Sequence, residues 1–137
     1  MDIVQRTTKE IYPKYYPQGA VEFFLDYHNE NAVSQDIADN NVYIIEDDNK
    51  VTGTVTVNDN EINRLYVLPE YQGKGYGGFL LGYAEKIVFK NYDEIILYSS
   101  LPAKSMYLKR GYKEYRYEVF DTKNGDFLCC DIMKKKL

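Results

Sequence analysis

Tryptophan is absent, histidine occurs once, cysteine occurs twice, and no stretch is apolar for the length that a membrane span requires. Each lack excludes something. Cys129 and Cys130 are adjacent, so an extended strand sends them to opposite faces, and neither has the spaced partners of a zinc site. Both read as strand residues, and no metal is expected. Residues Met1 to Glu10 mix polar and apolar side chains and offer no signal h-region, which points to a cytoplasmic protein. Lys and Arg number 17 against 21 Asp and Glu, and the net charge of −4 suits neither a nucleic-acid backbone nor a membrane surface as partner. The one basic run, Lys134-Lys135-Lys136, reads as a solvated tail.

What remains is the composition of a folded core. Hydrophobic residues make up 45% and charged residues 28%, an ordinary balance for a globular protein, and folding at a length of 137 residues buries well over half of the unfolded surface. No repeat, low-complexity stretch or Pro/Gly/Ser linker divides the chain, so a single domain over residues 1–137 is expected. Aromatics are mostly tyrosine, 15 against 6 Phe, so most rings carry a hydroxyl able to face water or a ligand.

Periodicity places the elements. Val21, Phe24, Leu25 and His28 recur at helical spacing and predict a helix from about Ala20 to Glu30, with a shorter one near Ser34 to Asp39. Val42 to Ile45, Val51 to Val57 and Glu61 to Leu68 read as strands, joined by the turn residues Asp47-Asp48-Asn49-Lys50 and Asn58-Asp59-Asn60 into an antiparallel meander. From Gly75 to about Lys90 the positions Tyr76, Leu80, Tyr83, Ala84, Ile87 and Val88 mark one buried helical face. A strand at Asp93 to Ser99, a short helix at Ala103 to Lys109 ended by Gly111, and a hairpin of Tyr112 to Phe120 with Phe127 to Met133 follow. This order predicts an α/β fold with a mixed, mostly antiparallel central sheet flanked by helices.

The most informative segment runs from Leu65 to Gly78: a strand, a glycine-rich loop and a helix start. Free N–H groups at a helix N-terminus attract phosphate, and glycine lets the backbone approach it closely. The four glycines between Gly73 and Gly78 weaken a helix start, so packing alone is a poor reason for them. Phosphate binding is the better account. The string also satisfies the loose dinucleotide pattern G-x-G-x-x-G, but Pro69-Glu70-Tyr71-Gln72 separates the strand from the first glycine, and Asp93 and Glu94 begin the next strand rather than end it. A P-loop is excluded because G-K-[ST] does not occur.

Gln72-Gly73-Lys74-Gly75-Tyr76-Gly77 resembles the Q/R-x-x-G-x-G/A motif of the GNAT superfamily of acyl-CoA-dependent N-acetyltransferases. The preceding Leu65 to Tyr71 is similar to that family's strand-and-splay segment, and Tyr107-Leu108-Lys109-Arg110-Gly111-Tyr112 to its Y-E-K-x-G-F block. Together the motifs cover Val42 to Phe120. The resemblance implies that acetyl-CoA is the co-substrate, its pyrophosphate held by the backbone of Gln72, Gly73, Lys74, Gly75, Tyr76, Gly77 and Gly78. It implies that the pantetheine arm pairs with the main chain of Leu65, Tyr66 and Val67. Ser100 stands where many members carry asparagine, and still offers a hydroxyl to the cofactor.

The chemistry implied by the resemblance is direct attack of an amine on the thioester within a ternary complex, without metal. Tyr107 occupies the position of the family's donor to the departing sulfur, and Glu61, eleven residues before Gln72, that of a glutamate acting as general base. His28, beside Asn29 and Glu30 at a helix end, reads as a surface residue. The acceptor is a small-molecule amine or a peptide or protein amino group, and Glu22, Asp26 and Glu30 near its expected cleft read as an ordinary solvated face. The protein is expected to be a monomer or a homodimer. The alternative readings are a catalytically silent acyl-CoA-binding sensor or interaction domain, and a nucleotide-binding module.

Overall fold

In the computed structural model, which describes residues 1–137, the meander forms as β1 (Val42–Asp47), β2 (Lys50–Asn58) and β3 (Glu61–Val67). Its turns close through Asp48, Asn49 and Asp59 at φ of 49°, 61° and 52°, a region that Asn and Asp enter more readily than other side chains. The strands β4 (Glu94–Ser99), β5 (Lys113–Asp121) and β6 (Phe127–Lys136) complete one six-stranded sheet in the order β1-β2-β3-β4-β6-β5. Every neighbouring pair is antiparallel except β3 with β4. The mixed, mostly antiparallel sheet is the one that the sequence predicts.

Helices cover both faces. On one side α4 (Tyr76–Val88), the connection from β3 to β4, buries Leu80, Leu81, Ala84 and Val88 against Val55, Val57, Ile95 and Leu97. On the other, α1 (Asp2–Ile11) and α2 (Gln18–Tyr27) bury Ile3, Val4, Ala20 and Val21 against Tyr66, Leu68 and Leu128. Because β2 lies between the layers, its Val/Thr alternation is not an inside/outside pattern: Thr52 and Thr56 are buried too. Thr52 Oγ1 donates to the Ile45 carbonyl at 3.3 Å and Thr54 Oγ1 to that of Tyr43 at 3.1 Å, which removes the cost of burying their hydroxyls.

Three segments differ from expectation. The sequence pattern does not predict α1, because Thr7 and Thr8 complete its buried stripe beside Ile3 and Val4 while reading as polar. The helix expected near Ser34 begins earlier, as α3 (Glu30–Ala38), because the Asn29 side chain caps it by accepting from the Ala32 N–H at 3.0 Å. The basic run is not a solvated tail. Strand β6 continues to Lys136, with Lys134 Nζ 3.2 Å from Glu94 and Lys135 Nζ 3.1 Å from the buried Glu85. Burial opposes the charge of Glu85, but hydrogen bonds from Arg110 and Lys135 hold its carboxyl below the usual range.

The feature that positions a site is the parting of β3 from β4. Glu61 lies opposite Ile96, and the Ile96 N–H donates to the Asn60 carbonyl at 3.0 Å. Beyond that point the two strands are no longer paired, leaving a cleft between the far half of β3 and β4, with α5 (Lys104–Lys109) beside it.

Candidate active site

A bulge sets the direction of the β3 rim. Thr54 faces Tyr66 but Thr56 faces Asn63, so β3 carries one residue more than β2 between these pairs, and Arg64 takes φ of 46°. A non-glycine residue is strained there, and its side chain is held by partners on two other elements. After the bulge the Leu68 N–H donates to Thr52, so by alternation the main chain of Tyr66 also faces β2. This corrects one expectation: Tyr66 has no free main-chain edge, and its ring lines the cleft instead. Leu65 and Val67 face the gap, where Gln72 Nε2 donates to the Val67 carbonyl at 2.9 Å.

The glycine loop lies at one end of this rim. Gly73 and Gly75 take φ of 74° and 91°, and α4 starts at Tyr76. From Gly73 to Gly78 no N–H has a partner within the protein; the first that does is Phe79, bonded to the Gly75 carbonyl at 3.0 Å. Consecutive free donors on the positive end of a helix form an anion cradle. A methyl group added at Gly73, Gly75 or Gly78 would meet nothing within 4 Å, so no packing contact requires glycine at these positions. Lys74 Nζ and Lys50 Nζ stand 5.4 Å and 5.6 Å from the centre of the Tyr71 ring, placing two cations at the loop. Lys50 escapes sequence reasoning because it belongs to a hairpin turn far upstream. The Tyr76 hydroxyl donates to Asp47 on that hairpin.

At the other end is a cavity of about 310 Å³ between β3, β4, α2 and the β5–β6 hairpin. It brings together Glu61, Leu65, Tyr66, Ser100 and Tyr107 among the sequence-predicted residues; Val67 and Gln72 to Gly78 lie outside its wall. Tyr107 is buried, has no hydrogen-bond partner in the protein, and is pushed well up from its ordinary pKa by burial and by the neighbouring Tyr12. It is therefore a protonated, uncommitted donor. Tyr12, which the sequence does not single out, lines the same cavity, its hydroxyl 3.4 Å from that of Tyr66. Glu61 is half-buried where the strands part, and burial raises its carboxyl while Arg64 opposes the shift. That is the direction wanted in a general base.

His28 is not on the surface. It is 6% exposed, because the chain turns at the C-cap of α2 and sends the ring inward beside Tyr66. Its Nδ1 accepts from Arg64 Nε at 2.9 Å, and Arg64 also pairs with Asp36. Burial and the guanidinium push its pKa down to about 4, so the ring is neutral at pH 7. Sequence reasoning missed Arg64. The available signal was a charged residue in phase with the buried Ile62, Tyr66 and Leu68. Glu22, Asp26 and Glu30 are exposed, as expected of a solvated face.

Comparison with known proteins bears on this arrangement. The family model of the acetyltransferase (GNAT) domain matches residues 11–127. No curated protein matches the sequence. Among solved structures, a GCN5-related N-acetyltransferase from Rhodopseudomonas palustris superposes with a TM-score of 0.86 at 21% identity, covering 98% of this chain and 86% of that one. The PaiA N-acetyltransferase of Thermoplasma acidophilum, solved with coenzyme A, gives 0.66 at 26% identity, with 99% and 89% covered. Arabidopsis thaliana Naa50, solved with the bisubstrate analogue CoA-Ac-MVNAL, gives 0.66 at 20% identity, with 80% and 82% covered. No helix of the protein is long and apolar enough to cross a membrane. With the family model spanning most of its length and the sheet parting between β3 and β4, the chain belongs to the GNAT acetyltransferase family and is an acetyl-CoA-dependent acyltransferase.

Proposed function

We propose that the protein moves an acetyl group from acetyl-CoA to a primary amine by direct attack within a ternary complex. The observation that carries this reading is the division of one cleft into an anion cradle at Gly73 to Gly78 and a cavity holding Glu61 and Tyr107. The cradle suits the pyrophosphate, and the edges of Leu65 and Val67 suit the pantetheine amides as an added strand would. Ser100 and Tyr12 line the cavity, into which the end of the arm would reach.

Glu61 takes the proton of the acceptor ammonium, and the freed nitrogen attacks the thioester carbonyl. Tyr107 donates to the sulfur as the C–S bond breaks, which keeps a bare thiolate from forming in a buried site. No step calls for a metal. The chain acts as a single domain in the cytoplasm, as a monomer or homodimer, on a small-molecule amine or a peptide or protein amino group, and the neighbour solved with the bisubstrate analogue CoA-Ac-MVNAL supports the peptide type.

The test is calorimetric titration with acetyl-CoA, free CoA and NAD, followed by thiol release against amines and peptides. Binding of acetyl-CoA with release on one acceptor class is the expected result. Preference for NAD, or no binding of acetyl-CoA, overturns the reading.

A further inference from the structure

The one unpaired charge on the cavity wall is the carboxylate of Glu61. Arg64 is the one guanidinium or ammonium on its wall, and it is already spent on His28 and Asp36. His28 accepts from that arginine and is neutral, so no free cation awaits a carboxylate. Two carboxylates do face the cavity. Glu61 has no basic hydrogen-bond partner, and the partner of Glu118, Arg116, keeps its side chain 59% exposed. Tyr98 lies near both, and besides burial these two charges push its hydroxyl pKa up. An acceptor bearing its own carboxylate would be desolvated here beside like charge.

The remaining wall is aromatic and rigidly placed. Phe23 of α2 stacks on Phe120 of β5 with centroids 6.3 Å apart and planes at 22°, and on Tyr27 at 6.1 Å and 16°. Both Phe23 and Phe120 are only half-buried, so apolar ring surface remains open to the cavity. The turn between β5 and β6 clamps the start of α2. Asp126 Oδ2 accepts from the Gly19 N–H at 2.8 Å, and Asn124 Nδ2 donates to the Gly19 carbonyl at 3.3 Å and to Glu22 at 3.2 Å. A Cβ at Gly19 would run into the Asn124 and Asp126 side chains, so with the clamp closed glycine is the residue that fits this approach. The clamp holds the two halves of the ring wall, one on α2 and one on the hairpin, in register before any ligand arrives.

We infer that the acceptor is a cationic arylalkylamine without an acidic group, its ring on Phe23 and Phe120 and its ammonium drawn to Glu61. This rests on the acetyl-transfer reading above. The ammonium gives one proton to Glu61 and thence to water. Its nitrogen lone pair forms the N–C bond, and the C–S bonding pair leaves on sulfur. The second nitrogen proton is lost as the amide forms, while sulfur takes one from Tyr107, which is reprotonated from solvent. The products are the N-acetylarylalkylamine, CoA thiol and one released proton.

The test uses the full chain with acetyl-CoA and matched acceptors: 2-phenylethylamine, phenylalanine, which adds one carboxylate, n-butylamine, which lacks the ring, and a tripeptide with a free N-terminus. The expected kcat/KM for 2-phenylethylamine exceeds that for n-butylamine by about 10-fold and that for phenylalanine by about 100-fold. Phe23→Ala and Phe120→Ala should each raise KM for 2-phenylethylamine by about 10-fold and that for n-butylamine by far less, with the Kd of acetyl-CoA unchanged. Phenylalanine or the tripeptide matching 2-phenylethylamine would overturn the inference alone, as would acetyl-CoA binding without release on 2-phenylethylamine. Failure to bind acetyl-CoA would overturn the acetyl-transfer reading as well.

Discussion

Arg64 donates from Nε to His28 Nδ1 at 2.9 Å across the cavity wall, and this bond fixes the tautomer of the only histidine. A guanidinium has no lone pair to offer, so Nδ1 must be unprotonated and Nε2 carries the hydrogen. A second proton would place an imidazolium against the guanidinium in a buried site. The folded protein therefore favours the neutral ring, with a pKa of about 4, while the unfolded chain titrates near the ordinary 6.5. The resulting stabilisation is fully present above pH 6.5 and is lost as pH falls through about 4, in total on the order of 3 kcal/mol. His28→Gln keeps an acceptor for Arg64 and removes the titration. Melting curves between pH 7.5 and 5 should show wild type losing more stability on acidification than the variant, and parallel losses would contradict the assignment.

Tyr107→Phe removes a hydroxyl that bonds to nothing in the protein, so it is expected to leave the fold and its melting temperature intact. Turnover should fall by roughly 100-fold, the scale of a lost proton donor, with the Kd of acetyl-CoA little changed. Stopped-flow thiol release under saturating acetyl-CoA measures it directly. Turnover equal to wild type would take Tyr107 out of the mechanism.

Glu61 carries a carboxyl raised by burial, an effect that Arg64 partly offsets and Asp36 reinforces. As a base it works only when ionised, so kcat/KM should rise with pH along a limb lying above the usual carboxylate range. Measured below pH 7, where an alkylammonium acceptor stays fully protonated, that limb reports the enzyme. Glu61→Gln should flatten it and lower kcat by roughly 100-fold. A limb that survives in the variant assigns the base elsewhere.

How far the sequence leads differs between the two halves of the cleft. The glycine loop is a local feature, and Gly73 to Gly78 are readable because their composition carries its meaning. The part assigned to the Leu65 to Val67 strand rests instead on the family resemblance, and the parting of β3 from β4 joins segments on either side of α4. The acceptor half is assembled from Tyr12, His28, Arg64 and Phe120, residues scattered over four elements whose meeting depends on packing across the sheet. The bulge at Arg64 leaves no glycine or asparagine at its strained position to announce it. The inward turn of His28 is set at a helix C-cap, where one backbone angle decides between solvent and core. Thr7 and Thr8 hid α1 for a related reason: a buried threonine packs through its methyl group, which a polar reading ignores.

Gly78 separates a folding requirement from a ligand requirement. It occupies the first turn of α4 without a left-handed φ, and a Cβ there would meet nothing within 4 Å. In a protein that only had to fold, alanine would be the better residue, by roughly 0.5–1 kcal/mol of backbone entropy. Gly78→Ala is thus expected to raise the melting temperature slightly. If the phosphates lie on the free N–H groups, the same methyl group intrudes on their approach, and the Kd of CoA should rise by about 10-fold. Gly75→Ala is the contrast, since φ of 91° makes it costly to the fold itself. Calorimetry on Gly78→Ala therefore reads ligand contact without the confusion of unfolding. A stabilised variant that binds CoA as tightly as wild type would remove Gly78 from the cradle.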